Sequence, residues 1–200
     1  MMKILMLDND GVICLSNNWG GRAKKWAKYR SANPDVDFTN RPIDCRFDAF
    51  DEKAIKVLNE ILEETGAEIV VSSDWRLHAN LEELGDYYIS QGIIKRPIAV
   101  TDMLKDIFPR EWNAFMFRAD LEIERSMEIG HWLKNHPEVT HWVAIDDLNM
   151  SVEFLSKNFS HSKDDDKNPG LSNFVLTPKA SQGIKQSGIK EKILKFLKDE

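Results

Sequence analysis

Asp8 and Asp10 stand two residues apart, directly after the run Lys3-Ile4-Leu5-Met6-Leu7 and directly before Gly11. Such a run reads as a buried strand, and a glycine behind it lets the backbone turn sharply. Two more strand-like runs end in the same manner. Glu68–Val71 leads into Ser72 and Ser73, and His141–Ile145 into Asp146 and Asp147. In a parallel sheet these ends share one edge, where open α/β sheets bind ligands. Carboxylates and hydroxyls distant in sequence then converge. The set could hold Mg²⁺, which takes one or two protein carboxylates and leaves positions for water and phosphate oxygen. A carboxylate beside that ion could attack phosphorus and form an acyl phosphate. A second carboxylate two residues on could move protons. The competing explanation is helix capping, because Asp and Ser are common in strand-to-helix loops. Three such clusters at three strand ends, one of them Asp-x-Asp-Gly, favour a site.

The elements that must position these groups follow from periodicity. Asp51 opens a helix in which Ile55, Leu58, Ile61 and Leu62 recur at helical spacing and which Gly66 stops. Further helices are predicted over Ala79–Ser90, Ile123–Asn135, Leu148–Phe159 and Ile184–Leu197, and strands over Pro97–Thr101 and Phe174–Thr177. The stretch Asp102–Leu121 is aromatic-rich and has no clear period, and Ser160–Ser172 reads as an exposed loop. Alternating strands and helices predict an α/β fold, a Rossmann-like doubly wound parallel sheet with helices on both faces. Residues 1–200 read as a single domain, with about 15–50 forming a small cap or flap insertion after the first strand.

Composition narrows the function classes. A 42% hydrophobic fraction, six Trp and ten Phe can build a sizeable core, and 30% charged residues suit a folded, soluble chain. The net charge of −6 argues against a general nucleic-acid binder. No apolar stretch is long enough for a membrane span, and Asp8 and Asp10 interrupt the first apolar run before it could serve as a signal peptide. Cys14 and Cys45 form no CxxC pair, so a reducing cytoplasm is the expected location. No obligate protein partner is evident.

Leu5-Met6-Leu7-Asp8-Asn9-Asp10-Gly11-Val12 resembles the first motif of the haloacid dehalogenase-like (HAD) phosphohydrolases. Ile69-Val70-Val71-Ser72-Ser73 is similar to their second motif and Trp142-Val143-Ala144-Ile145-Asp146-Asp147 to their acidic fourth. More narrowly, Ser72-Ser73-Asp74-Trp75-Arg76 and the stretch from Glu128 to Asp147 resemble a HAD branch associated with RNA-repair proteins. The resemblance implies a HAD-like fold and a set of roles. Asp8 would be the nucleophile, Asp10 the general acid/base, and Ser72 the hydrogen-bond partner of the transferring phosphoryl group. Asp8 and the Asp10 backbone carbonyl would bind Mg²⁺, joined by Asp146 or Asp147. Asp146 is favoured because it comes first off the strand. The third motif of the family is a Lys or Arg. Arg125 is favoured because it opens the helix before the Asp146 strand, and Lys134 is the alternative.

Other residues carry two explanations each. Ser73, Trp75 and Arg76 could touch substrate, with Trp75 stacking and Arg76 forking onto oxygen. Equally, Trp75 could pack under the sheet edge and Arg76 pair with an acid. Trp19–Arg30 places Arg22, Lys24, Lys25, Lys28 and Arg30 among aromatics, either as a lid for a polyanion or as a solvated helix. His78, His131, His136, His141 and His161 lack metal-ligand spacing, and Asp164–Asp166 lacks that of an EF-hand. The expected function is therefore a Mg²⁺-dependent phosphomonoesterase with an aspartyl-phosphate intermediate. Its partner would be a phosphorylated small molecule, leaning towards a nucleotide or a nucleic-acid terminal phosphate. The alternatives are a catalytically idle binding module and a phosphotransferase to an acceptor other than water.

Overall fold

A computed structural model describes residues 1–39, 41–107, 121–158 and 170–198. Among these residues five strands form one sheet: β1 Met2–Leu7, β2 Glu68–Val71, β3 Pro97–Val100, β4 Val139–Asp146 and β5 Phe174–Leu176. Their order is β3-β2-β1-β4-β5, and every pairing is parallel. The doubly wound sheet expected from the sequence is thus present. β1 lies at its centre, so both its faces must be apolar. Leu5 and Leu7 join Ile69, Val71, Val143, Ile145 and Val175 on one side. Ile4 and Met6 join Val70 and Ala144 on the other.

Helices cover both sides. The first face carries α3 (Glu52–Thr65), α4 (Leu81–Ser90) and α8 (Ile189–Leu197), through Leu58, Ile61, Leu84, Tyr88, Ile189 and Ile193. The second carries α6 (Leu121–Lys134), through Ile129 and Trp132. Local chemistry sets the boundaries. Asp51 caps α3 by accepting from the backbone N–H groups of Lys53 and Ala54, and Gly66 ends it at φ +69°. Asn80 and Glu83 form a reciprocal capping box at the start of α4.

The expected helix over Ile184–Leu197 is divided. A single 3₁₀ turn, Gly183–Lys185, precedes α8, and Gly188 stands between them at φ +83°. The reason for the first turn is its seat on the loop after β1. Ile184 N–H donates to the Val12 carbonyl at 2.9 Å. A Cβ on Gly183 would come within 2.1 Å of that carbonyl oxygen, so only glycine fits. The expected helix over Leu148–Phe159 begins later, as α7 (Val152–Asn158). Asn149 and Ser151 hold an intervening turn, with Asn149 Oδ1 accepting from Ser151 N–H at 3.2 Å.

Between β1 and α3 the chain makes an excursion that contains α1 (Gly21–Ala32) and α2 (Ile43–Arg46). α1 has no buried residue, and Lys24, Lys25, Lys28 and Arg30 are all exposed. The buried Asp48 carboxylate anchors its start, accepting from Gly20 N–H at 3.1 Å and Arg22 N–H at 2.6 Å. Of the unassigned stretch after β3, Leu104–Ile107 forms a short helix, α5. Residues 108–120 of that stretch, and most of the loop expected over Ser160–Ser172 with His161 and Asp164–Asp166, lie outside the described residues. Among the described residues no helix is long and apolar enough to cross a membrane.

Candidate active site

The register of the sheet staggers the strand ends into one cluster. Asp8 N–H donates to the Ile145 carbonyl at 3.1 Å, and Ser72 N–H to the Leu7 carbonyl at 2.9 Å. Thr101 N–H donates to Val71 at 3.0 Å, and Thr177 N–H to Asp146 at 2.9 Å. Thr101, Ser72, Asp8, Asp146 and Thr177 therefore follow one another along the carboxyl edge. Asn9 is buried, and its Oδ1 accepts from the Tyr88 hydroxyl at 2.6 Å, which pins the loop from behind.

Arg125 closes the cluster. It lies one helical turn before Ile129 on α6, on the stripe that packs against the sheet. Its guanidinium is buried, and one nitrogen reaches Asp8 Oδ1 at 3.1 Å and Asp146 Oδ2 at 3.2 Å. The same nitrogen donates to the Ser72 carbonyl, and the other terminal nitrogen to Asp74 Oδ1 at 3.0 Å. Lys134, the alternative third-motif residue, is exposed at the far end of α6. Arg125 is thus the cation that meets the Asp8 carboxylate.

Asp8, Asp146 and Asp147 bring carboxylate oxygens within 4.8 Å of one another. Their electrostatics reflect crowding in a dry place. Burial pushes Asp8 up to about 7, against the pull of Arg125. Burial and then Asp8 raise Asp146 well above the usual carboxylate range, and burial followed by Asp10 raises Asp147. Burial alone would lower Arg125, but Asp8, Asp146 and Asp74 hold it above its ordinary value. One guanidinium among these acids leaves negative charge that a hard divalent cation would offset. Three carboxylates with no His or Cys among them form a donor set suited to Mg²⁺. Gly11 makes room for it. At φ +72° a Cβ there would lie 2.2 Å from Asp147 Oδ2, so only glycine lets that carboxylate approach the loop.

Two hydroxyls are conspicuous. Ser72 Oγ and Thr101 Oγ1 are buried without a hydrogen-bond partner among the described residues. An unmade buried hydrogen bond costs roughly 1–3 kcal/mol, which an incoming oxygen could recover. Ser73 Oγ is buried beside Asp8, near enough to favour its charge yet outside hydrogen-bond geometry.

Of the two explanations open for Trp75 and Arg76, packing in the wall and pairing with an acid describe their places, not substrate contact at the rim. The Trp75 ring is 3% exposed and stacks on Phe47 and Phe50, and its Nε1–H donates to Asp10 Oδ2 at 2.8 Å. The Arg76 side chain is 4% exposed and pairs with Glu128, whose Oε1 accepts from Leu104 N–H at 2.9 Å. Both are parts of the wall, because their apolar faces and charges are already satisfied inside it. Sequence reading also missed Thr101, Thr177 and Glu128. The two threonines do carry a signal, a hydroxyl directly after an apolar strand. Thr177 Oγ1 donates to the Gly11 carbonyl at 3.2 Å, tying the last strand to the first loop.

No curated protein and no solved structure matches this chain. A family model for the HAD domain in Swiss Army Knife RNA repair proteins matches residues 4–186. That span runs from the central strand to the turn seated on the first loop, and it contains every strand end and Arg125. With motif, sheet order and family agreeing over most of its length, the chain belongs to the HAD domain family of Swiss Army Knife RNA repair proteins.

Proposed function

We propose that this HAD domain is a Mg²⁺-dependent phosphomonoesterase working through an aspartyl phosphate on Asp8. The observation that carries the reading is the Arg125 guanidinium shared between Asp8 Oδ1 and Asp146 Oδ2, with Asp147 alongside. Arg125 orients Asp8 and leaves its second oxygen available for attack. In the first transfer a bond forms from that oxygen to phosphorus as the ester P–O bond breaks, and Asp10 gives its proton to the leaving oxygen. In the second, Asp10 takes a proton from water, the water oxygen bonds to phosphorus, and the bond to Asp8 breaks. Ser72 Oγ, a buried donor with no partner among the described residues, is suited to a phosphoryl oxygen. Mg²⁺, when bound, would neutralise charge on the phosphoryl oxygens and Asp8.

Asp8, Asp147 and the Asp10 carbonyl are the residues we assign to the metal. Asp146 was the residue expected from chain order. Its two oxygens are already engaged, Oδ1 by Leu148 N–H at 2.8 Å and Oδ2 by Arg125. We therefore give Asp146 the task of holding Arg125. Asp147→Asn should raise the Mg²⁺ concentration for half-maximal activity by about 10–100-fold or more, on the scale of outer-shell losses at metal sites. Asp146→Asn should lower turnover with a smaller change in that requirement. A Mg²⁺ titration of both variants checks this, and the opposite ranking would return the metal to Asp146.

The substrate we favour is a nucleotide or a nucleic-acid terminal phosphate. Support comes from the excursion after β1, which we read as a flap, though not from its lysines. A cleft of about 500 Å³ is lined by Arg22, Phe38, Arg41, Arg46, Leu77 and His78. Among the described residues Arg41 has no carboxylate within ion-pair distance. It lies 5.8 Å from the Trp26 ring and 5.2 Å from that of Phe38, itself 69% exposed. Guanidinium groups beside an exposed ring suit a phosphate attached to a base. Hydrolysis of mononucleotides, end-phosphorylated oligonucleotides, sugar phosphates and an aryl phosphate, with Mg²⁺ or excess chelator, tests the whole reading. We expect Mg²⁺-dependent release of phosphate, fastest from the first two. Activity undiminished in chelator would remove the metal, and equal rates across the panel would remove the nucleotide preference. A cytoplasmic location fits the two free, buried cysteines.

A further inference from the structure

Trp75 makes a contact that packing alone does not require. It sits in the 3₁₀ segment Asp74–Leu77, directly after the second strand and its serines. Its ring is held by neighbours from two directions. Phe47 stacks on it at 4.2 Å and 8°, Phe50 at 5.2 Å and 15°, and Tyr87 of α4 meets it at 5.9 Å and 63°. Tyr87 is itself fixed, its hydroxyl donating to the Asp48 carbonyl at 3.1 Å. The ring plane is therefore set by Phe47 and Phe50 from the excursion and Tyr87 from α4, before Asp10 is considered.

From that fixed ring Nε1–H reaches Asp10 Oδ2 at 2.8 Å, although the two residues are 65 positions apart. An indole N–H only donates. It neither accepts a proton nor changes charge in water. The carboxylate oxygen that accepts this bond is a poor place for a proton, so a proton on Asp10 belongs on Oδ1.

We propose that Trp75 is a positioning residue whose indole N–H holds Asp10 Oδ2 and leaves Oδ1 as the atom that carries the transferable proton. This rests on Asp10 being the general acid and base. Two consequences follow. The side chain is kept in one rotamer in a loop that ends at a glycine. The proton is also kept on the oxygen that Trp75 does not cover, so each turnover begins without a search between two carboxyl oxygens. The energetic benefit is one of orientation.

Trp75→Phe keeps an aromatic ring in the stack and deletes the donor. Replacing the indole with benzothiophene, by incorporating benzothienylalanine at position 75, deletes the donor with almost no change of shape, and it covers the case in which Trp75→Phe fails to fold. Turnover is measured on an alkyl phosphate, whose leaving oxygen needs a proton, and on a nitrophenyl phosphate, whose leaving oxygen does not. Loss of positioning should cost about 10–100-fold with the alkyl ester, part of what complete general-acid loss costs. Formation of phosphoenzyme from the aryl ester and KM for both should change by less than about threefold. Asp10→Asn combined with either replacement should be little slower than Asp10→Asn alone, because the two groups act as one unit. In the uncomplexed protein the Trp75 indole N–H resonance should exchange slowly and move on Asp10→Ala, an outcome independent of any turnover. Equal losses in the rate of phosphoenzyme formation from the two esters, multiplying effects, or an indole resonance indifferent to Asp10 would each overturn the proposal. Asp10→Asn with full activity on the alkyl ester would instead overturn the acid–base reading itself.

Discussion

Asp8→Asn is expected to lower turnover by roughly 10⁴–10⁶-fold, the range seen when a nucleophile acting within a catalytic unit is removed. The amide keeps the shape of the carboxylate and removes the attacking charge. It should not unfold the chain. Arg125 keeps Asp146 at 3.2 Å and Asp74 at 3.0 Å, so its charge stays partnered. Stability should even respond to pH in the variant's favour. Burial raises the Asp8 carboxyl from 3.8 to about 7, so the folded chain holds that proton more tightly than the unfolded one. The stability this group contributes is complete below about pH 4 and is lost as pH rises towards and through 7. Asn has no such dependence. Measured by thermal unfolding in chelator, Asp8→Asn should gain on the native sequence between pH 5 and pH 8. Near-native turnover on any phosphomonoester would eliminate the covalent mechanism.

The sequence was most readable where one residue's environment is decided by its own neighbours. The burial of β1 on both sides, with Leu5 and Leu7 on one face and Ile4 and Met6 on the other, follows from an apolar run at the centre of a parallel sheet. Glu68–Val71 and the Asp51 cap of α3 follow equally from local pattern. The strand-end groups Asp8, Ser72 and Asp146 could be grouped because parallel topology alone brings such ends to one edge. Arg125 could be preferred to Lys134 from its place at the start of a helix. The stripe of Arg125, Ile129 and Trp132 is the physical basis of that preference.

Side-chain direction was harder to read where partners come from distant segments. Whether Trp75 faces ligand or wall depends on Phe47 and Phe50, which lie 28 and 25 positions earlier, and nothing in Ser-Asp-Trp-Arg encodes them. Arg76 was open to pairing with an acid, but its partner Glu128 is 52 positions away. The basic run of α1 suggested a cationic lid. In the fold its lysines face outward, and the arginines gathered around the cleft come from α1, α2 and the stretch between them. Asp48 gave no local signal at all, yet its buried carboxylate starts α1 across 26 residues. The split before α8 needed knowledge that Gly183 must fit beneath Val12.

Arg125→Met should be the most damaging single change to the folded state. It removes one cation from contact with two buried acids, Asp8 and Asp146, and from the Ser72 carbonyl. Removing one partner of a buried ion pair typically costs about 3–5 kcal/mol, because the charge left behind has neither water nor counter-ion. Protonation offers the acids an escape, and this gives the prediction its sign. Both acids are already raised by burial, and Arg125 is what holds them down. Without it they should rise further, and the folded chain should take up protons that the unfolded chain releases near pH 4. The deficit should then be small at pH 5 and larger at pH 8. Urea unfolding in chelator at the two pH values measures it. Mg²⁺ should restore part of the loss at pH 8, since a divalent cation faces the same oxygens. Arg125→Lys should recover part of the stability and little of the activity. One ammonium can face Asp8 and Asp146 but cannot also span to Asp74 with a planar fork. Turnover of both variants should fall by about 10²–10³-fold, the scale of losing one preorganised donor to developing charge. An Arg125→Met protein as stable as the native chain at pH 8 would show that Asp8 and Asp146 do not depend on this cation, and the site would need another source of positive charge.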